Sequence, residues 1–226
     1  MRLRRLLPAL LATTALWATS AHADVILDFA GLNGDAHEGV LNYYNGGTGS
    51  FGSGPGTNYG IAFSSNALAC SGLPGGTCNT ALIPGGPGAN ALFFLDGTAS
   101  TMNVAAGFTT GFSFFYSAVN QPGFVSVWDG LNGTGNLLAT INLALTPNSG
   151  DPGCLGTNFC PYTAIGVNFA GTAKSVDFGG AADQVAFADV TIGSATAGGG
   201  DTDVPEPASL LLVGVGLAAM AKRRGA

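Results

Sequence analysis

The stretch TTGFSFFYSAVNQPGFVSVWD, residues 109–129, decides the fold. Phe112, Phe114 and Tyr116 share one face against Ser113 and Ser117, and a repeat of two residues is the mark of a strand with one buried side. Phe115 breaks the alternation, as expected near the centre of a core built from two layers. A second run, GFVSVWD at 123–129, follows at once. It ends on Asp129-Gly130, a pair suited to the positive φ of a tight hairpin.

Outward from this pair, the same kind of run recurs along the chain. VILDFA (25–30), YGIAFS (59–64), ALFFL (91–95), NLLATINLAL (136–145), TAIGVNFA (163–170), AKSVDFG (173–179) and QVAFADVTI (184–192) are short, apolar or alternating. Turn pairs such as Asn45-Gly46 and Asp96-Gly97 separate them. No segment between the two ends keeps a helical repeat. The pattern predicts an all-β fold, an antiparallel sandwich of jelly-roll type over 24–192. In the first strand Val25, Leu27 and Phe29 point one way, with Ile26 and Asp28 opposite. In the last, Val185 and Phe187 lie on one face and Val190 and Ile192 on the other; Asp189 sits at the change, where a bulge or a bound ion is expected.

The two ends are not part of this fold. Arg2, Arg4 and Arg5, the apolar run Leu6 to Ala18 and the small-x-small site Ala21-His22-Ala23 read as a secretory signal peptide over 1–23. GSATAGGGDTD at 193–203 reads as a flexible linker. At the far end, Pro205-Glu206-Pro207 leads into an apolar run from Ala208 to Ala221 and then into Lys222, Arg223 and Arg224. Fourteen apolar residues make roughly 21 Å of helix, short of the ~30 Å hydrocarbon core. A basic end that snorkels lets such a segment, 204–226, serve as a short hydrophobic helical anchor.

Those three features, in that order, resemble the PEP-CTERM sorting signal of bacterial surface proteins. The resemblance implies export through the secretory machinery, an intermediate anchored in the inner membrane, and processing by exosortase, an integral-membrane enzyme that recognises Pro-Glu-Pro. It implies a destination at the cell surface or in the extracellular matrix. It covers the tail alone and leaves the purpose of the central domain open.

Between the ends the charge is lopsided. The chain has thirteen acidic residues, of which only Glu206 lies in the tail, and Lys174 is the only Lys or Arg between the ends. The resulting net of eleven negative charges excludes nucleic acid as a partner, since that binding needs cations against phosphates. It favours solubility and attracts cations. The four cysteines fall into two close pairs, and an exported chain with an even count is expected to form the disulfides Cys70–Cys78 and Cys154–Cys160. Zinc is the weaker alternative, because neither pair has CxxC spacing.

No motif of an enzyme stands out. Gly47-Thr48-Gly49-Ser50-Phe51-Gly52 spells GxGxxG with no βαβ unit after it, and reads as a glycine-rich loop within the long Gly39–Ala69 segment. No GxSxG, HExxH or P-loop occurs. Asp28, Asp35, Glu38 and Asp189 are candidates for a structural Ca2+ site, in the arrangement of carbohydrate-binding jelly rolls, which the domain resembles at the level of fold; such modules usually carry Phe-Glu where Phe29 is followed by Ala30. Tyr43, Tyr44, Tyr59 and Trp128 are candidates for stacking on a ligand, with core packing as the alternative. The expected function is non-catalytic adhesion or association with extracellular polysaccharide. The runner-up is a secreted hydrolase acting on glycans through a carboxylate pair.

Overall fold

The computed structural model describes residues 24–72, 76–78, 83–84, 89–148, 150–151 and 162–199. The described strands are β1 (Val25–Leu27), β2 (Ile61–Phe63), β3 (Leu68–Ser71), β4 (Asn90–Phe93), β5 (Ala99–Phe108), β6 (Gly111–Ala118), β7 (Gly123–Trp128), β8 (Leu137–Leu143), β9 (Thr163–Asn168), β10 (Ala173–Gly179) and β11 (Val185–Ile192). The helical element among these residues is a 3-10 turn at Gly34–Ala36. The expected signal peptide, the anchor tail and the Cys154–Cys160 pair lie outside the described residues.

The strands form two antiparallel sheets. One runs β3-β4-β11-β6-β9, with β1 also on β11; the other runs β2-β5-β10-β7-β8. The pairings β4·β11, β5·β10, β6·β9 and β7·β8 nest one inside the next. That is a long ribbon, β4–β7 laid against β8–β11, rolled into a sandwich, and it is what makes the fold a jelly roll rather than another two-sheet arrangement. Rolling brings β7 onto β10 and β6 onto β11 and so completes the sheets.

The core between the sheets is aromatic. Phe112 and Phe114 from β6 and Phe187 from β11 meet Phe178 of the opposite sheet, with ring centroids 5.0–6.3 Å apart and tilted edge to face. Such pairs contribute about 0.5–1.5 kcal/mol each beyond the area they bury. Phe115, the residue that breaks the pattern of β6, faces outward. It packs with Cys70, Ala91, Phe93 and Ala188 in a second, smaller core on the far side of the six-stranded sheet.

Two strands escape a reading by composition. β3 is four residues long. β5 is ten, rich in Ala, Ser and Thr, and its inward positions Met102 and Val104 are flanked by polar Thr101 and Asn103. The last strand corrects another expectation. Val185, Phe187, Val190 and Ile192 all enter the same core. The register of β11 on β6 slips between Ala188 and Thr191, and Asp189 takes a left-handed φ of 46° there. This bulge turns the second half of the strand over, so two sets of opposite phase reach one side.

The expected linker begins as part of the sandwich. Gly193 N–H donates to Gly111 O at 3.0 Å, Ser113 Oγ donates to Ser194 O at 2.9 Å, and Gly198 N–H donates to Thr191 Oγ1 at 3.1 Å. Residues 193–199 are therefore tied to β6 and β11. The remainder of the expected linker, 200–203, lies outside the described residues.

Candidate functional site

Three places gather the candidate residues. The first is Glu38, fully buried. Its Oε2 accepts Asn33 N–H at 2.7 Å, and its Oε1 accepts Phe51 N–H at 2.9 Å and Ser53 N–H at 3.1 Å. Burial pushes this carboxyl up, but the hydrogen bonds from Ser53, Asn33 and Phe51 outweigh it and hold the group below its ordinary 4.5. The glycine-rich loop is folded around this charge. A Cβ on Gly49 would lie 2.5 Å from Glu38 Oε1, and Gly52 has φ +92°, which explains two of the three glycines in GxGxxG. Phe51, 65% exposed, is held out at the bend by its own N–H bond to Glu38.

Two of the three tyrosines beside this loop, Tyr43 and Tyr44, act as tethers. Tyr44 is buried; its hydroxyl accepts Phe29 N–H at 2.6 Å and donates to Asp28 Oδ1 at 3.5 Å, and burial followed by the Asp28 charge raises its pKa. Tyr43 is half-buried and donates to Ala30 O at 3.0 Å. Tyr59 is exposed and stacks on Tyr44 at 6.3 Å. Of the three, Tyr59 alone keeps a large exposed surface; Tyr44 is committed to the interior.

The second place is the junction of β1, β4 and β11. The register Leu27↔Val190 sets Asp28 against Asp189, so the first and last strands do meet, as expected. β11 exchanges its partner here, from β4 at Phe187 to β1 from Val190 onward. Asn90 locks the corner by donating to Phe29 O at 3.1 Å and Leu32 O at 3.0 Å. Asp189 is 7% exposed; burial first, and then the Asp28 charge, push its pKa from 3.8 up to about 6. The four-carboxylate calcium site is not assembled. Among the described residues no three of Asp, Glu, His and Cys are grouped as metal ligands. Glu38 is enclosed by backbone N–H groups, and Asp35 is exposed in the 3-10 turn.

The third place is the outer face of the five-stranded sheet. Trp128 is half-buried, and its Nε1–H donates to Asp177 Oδ2 at 3.0 Å, while the Thr101 hydroxyl donates to Oδ1 at 2.6 Å. The β7–β8 loop folds back over this end. Gly133 N–H donates to Ser175 Oγ at 2.9 Å, and Ser175 Oγ donates to Gly130 O at 2.6 Å. Asp129 closes the loop by accepting Asn136 Nδ2–H at 2.8 Å and N–H at 2.7 Å, which depress its pKa. Four residues away on β7, Phe124 is 38% exposed. Sequence reasoning singled out Trp128 and missed Phe124 and Asp177. The signal was present: with Val125 and Val127 inward in GFVSVWD, residues 124, 126 and 128 must share the outer face.

The Cys70–Cys78 bridge is formed, with Cα atoms 5.0 Å apart, and it ties β3 to the chain that covers the smaller core.

Comparison with known proteins adds one finding. Residues 203–224 match the PEP-CTERM protein-sorting motif. A search of curated proteins gives no match to the chain. The molecule is thus a jelly-roll sandwich followed by a sorting motif, which marks an exported, exosortase-sorted protein that passes through a membrane-anchored intermediate.

Proposed function

We propose that the chain is a non-catalytic surface or matrix protein whose sandwich associates with extracellular polysaccharide or mediates adhesion. The observation that carries this reading is the use made of the acidic residues: Glu38, Asp129 and Asp177 each hold a loop or an aromatic side chain in place. A carboxylate occupied in this way stiffens a surface for contact and is poorly placed to exchange protons with a substrate. The sorting motif supplies the delivery, and residues 193–199, tied to the sandwich, lead toward it.

The experiment has two arms. In cells, the unaltered chain should reach the surface or medium, whereas Glu206→Ala or deletion of residues 222–224 should leave it in the inner membrane. In vitro, the exported chain should be retained by one or more polysaccharides of a glycan panel. Equal release of variant and unaltered chain overturns the sorting reading, and absence of retention overturns the association.

One observation favours the hydrolase instead. Asp28 and Asp189 form a carboxylate pair in which one member has a raised pKa, the division of roles that a glycosidase uses between its acid and its partner. Release of reducing sugar that disappears in Asp189→Asn would establish that reading.

A further inference from the structure

Phe124 has an unusual seat. It lies on β7 in register with Gly179 of β10. A Cβ built on that glycine would fall against Cζ, Cε2 and Cε1 of the Phe124 ring, at nearly the same distance from all three. A point almost equidistant from three adjacent ring atoms lies over the face of the ring and not beyond its edge. The ring therefore lies flat over the glycine, parallel to the sheet, with its other face toward solvent. Trp128 lies on the same strand and face, four residues or about 13 Å further along, its indole fixed by Asp177. Ser126 sits between them, buried, and the exposed Thr140 and Asn142 of β8 stand in register with Ser126 and Phe124.

We infer that this outer face is a stacking platform for an uncharged polysaccharide, which lies along β7 with sugar rings on Phe124 and Trp128 and hydroxyls bonded to Thr140 and Asn142. The inference rests on the polysaccharide reading above and names its site and its class of ligand. The flat face of Phe124 suits the C–H face of a sugar ring, and the half-buried Trp128, further off than one ring can span, offers a second aromatic contact that selects a chain over a monosaccharide. Charge sets the class. The single Lys or Arg of residues 24–199, Lys174, acts on Asp129 beside Trp128, and the Asp177 carboxylate sits at that same end of the platform. A polyuronate or sulfated polymer would meet two carboxylates, Asp129 and Asp177, against one cation that Asp129 already engages.

The test is affinity electrophoresis of the full-length chain in gels containing a neutral glucan or a polyuronate of matched length. The neutral polymer should retard the protein and the polyuronate should not. Phe124→Leu removes the ring, and Gly179→Ala leaves the ring present but lifts it off the sheet. Each should weaken retardation about tenfold while the melting temperature stays within a few degrees. Equal or stronger retardation by the polyuronate overturns the inference, and so does neutral-polymer binding that both variants leave intact, which would keep the polysaccharide reading and move its site. If no polymer retards the chain, the polysaccharide reading fails and takes this inference with it. Self-association of the chain that Gly179→Ala abolishes would assign the face to a second copy and overturn the inference as well.

Discussion

At the scale of single residues, two buried carboxylates oppose each other in their response to pH. Glu38 titrates below its ordinary value in the folded chain, so its stabilisation is present at neutral pH and is lost as pH falls through and below 4.5. Asp189 titrates higher when folded, at about 6 against 3.8. Its contribution is full below about pH 4 and disappears as pH rises to about 6, a difference of up to about 3 kcal/mol. Urea melts from pH 4 to 8 should therefore show stability declining across the window between 4 and 6, and Asp189→Asn should flatten that decline and stabilise the protein at pH 7. Asn tolerates the left-handed φ of 46° at this position, so the substitution leaves the bulge in place. A wild-type curve flat across that window would show that burial and the Asp28 charge do not raise the Asp189 carboxyl as described. Glu38→Gln acts in the other direction. It leaves one acceptor oxygen and brings an NH2 group up against backbone N–H donors, so the chain should lose about 3 kcal/mol at pH 7, with faster proteolysis at residues 47–56. Unchanged melting and cleavage would mean that the loop is held by something else.

At the scale of elements, the short strands need help that the long ones do not. β3 spans four residues, and its outward side faces the smaller core, which the Cys70–Cys78 ring helps to close. By loop-closure entropy a ring this short stabilises by about 2 to 3 kcal/mol at most. Reduction should lower stability within that bound. Hydrogen exchange should speed up at β3 and β4 and remain slow in β6, β10 and β11, which carry the aromatic core. Uniform acceleration over all strands would show that the bridge supports the whole sandwich. Sequence reading saw most strands because their two-residue repeat is written in Phe, Val and Leu. It missed β5, where the repeat is carried by Met102 and Val104 among small and polar residues, and where membership depends on pairing with β2 and β10.

At the scale of the whole molecule, repulsion among eleven excess negative charges in residues 24–204 sets the dependence on salt. Raising sodium chloride from about 0.01 to about 0.15 M shortens the screening length from about 30 to about 8 Å, and should raise the melting temperature by about 2–4 °C. Calcium chloride at equal ionic strength should do no more, since among the described residues no three carboxylates are gathered; a distinctly larger rise with calcium would revive a specific ion site. The sequence by itself determined the all-β class, the sorting tail and the pairing of Cys70 with Cys78, because local periodicity, a linear motif and a short separation are all properties of neighbouring residues. Folding decided the rest. Glu38, Tyr44 and Asp28 look alike as candidate ligands on paper; only the packing of distant segments shows that Glu38 anchors a loop, that Tyr44 is buried against Asp28, and that Asp28 meets Asp189 from the other end of the domain. The flat seat of Phe124 on Gly179 arises in the same way, from two strands more than fifty residues apart that come into register when the ribbon rolls up.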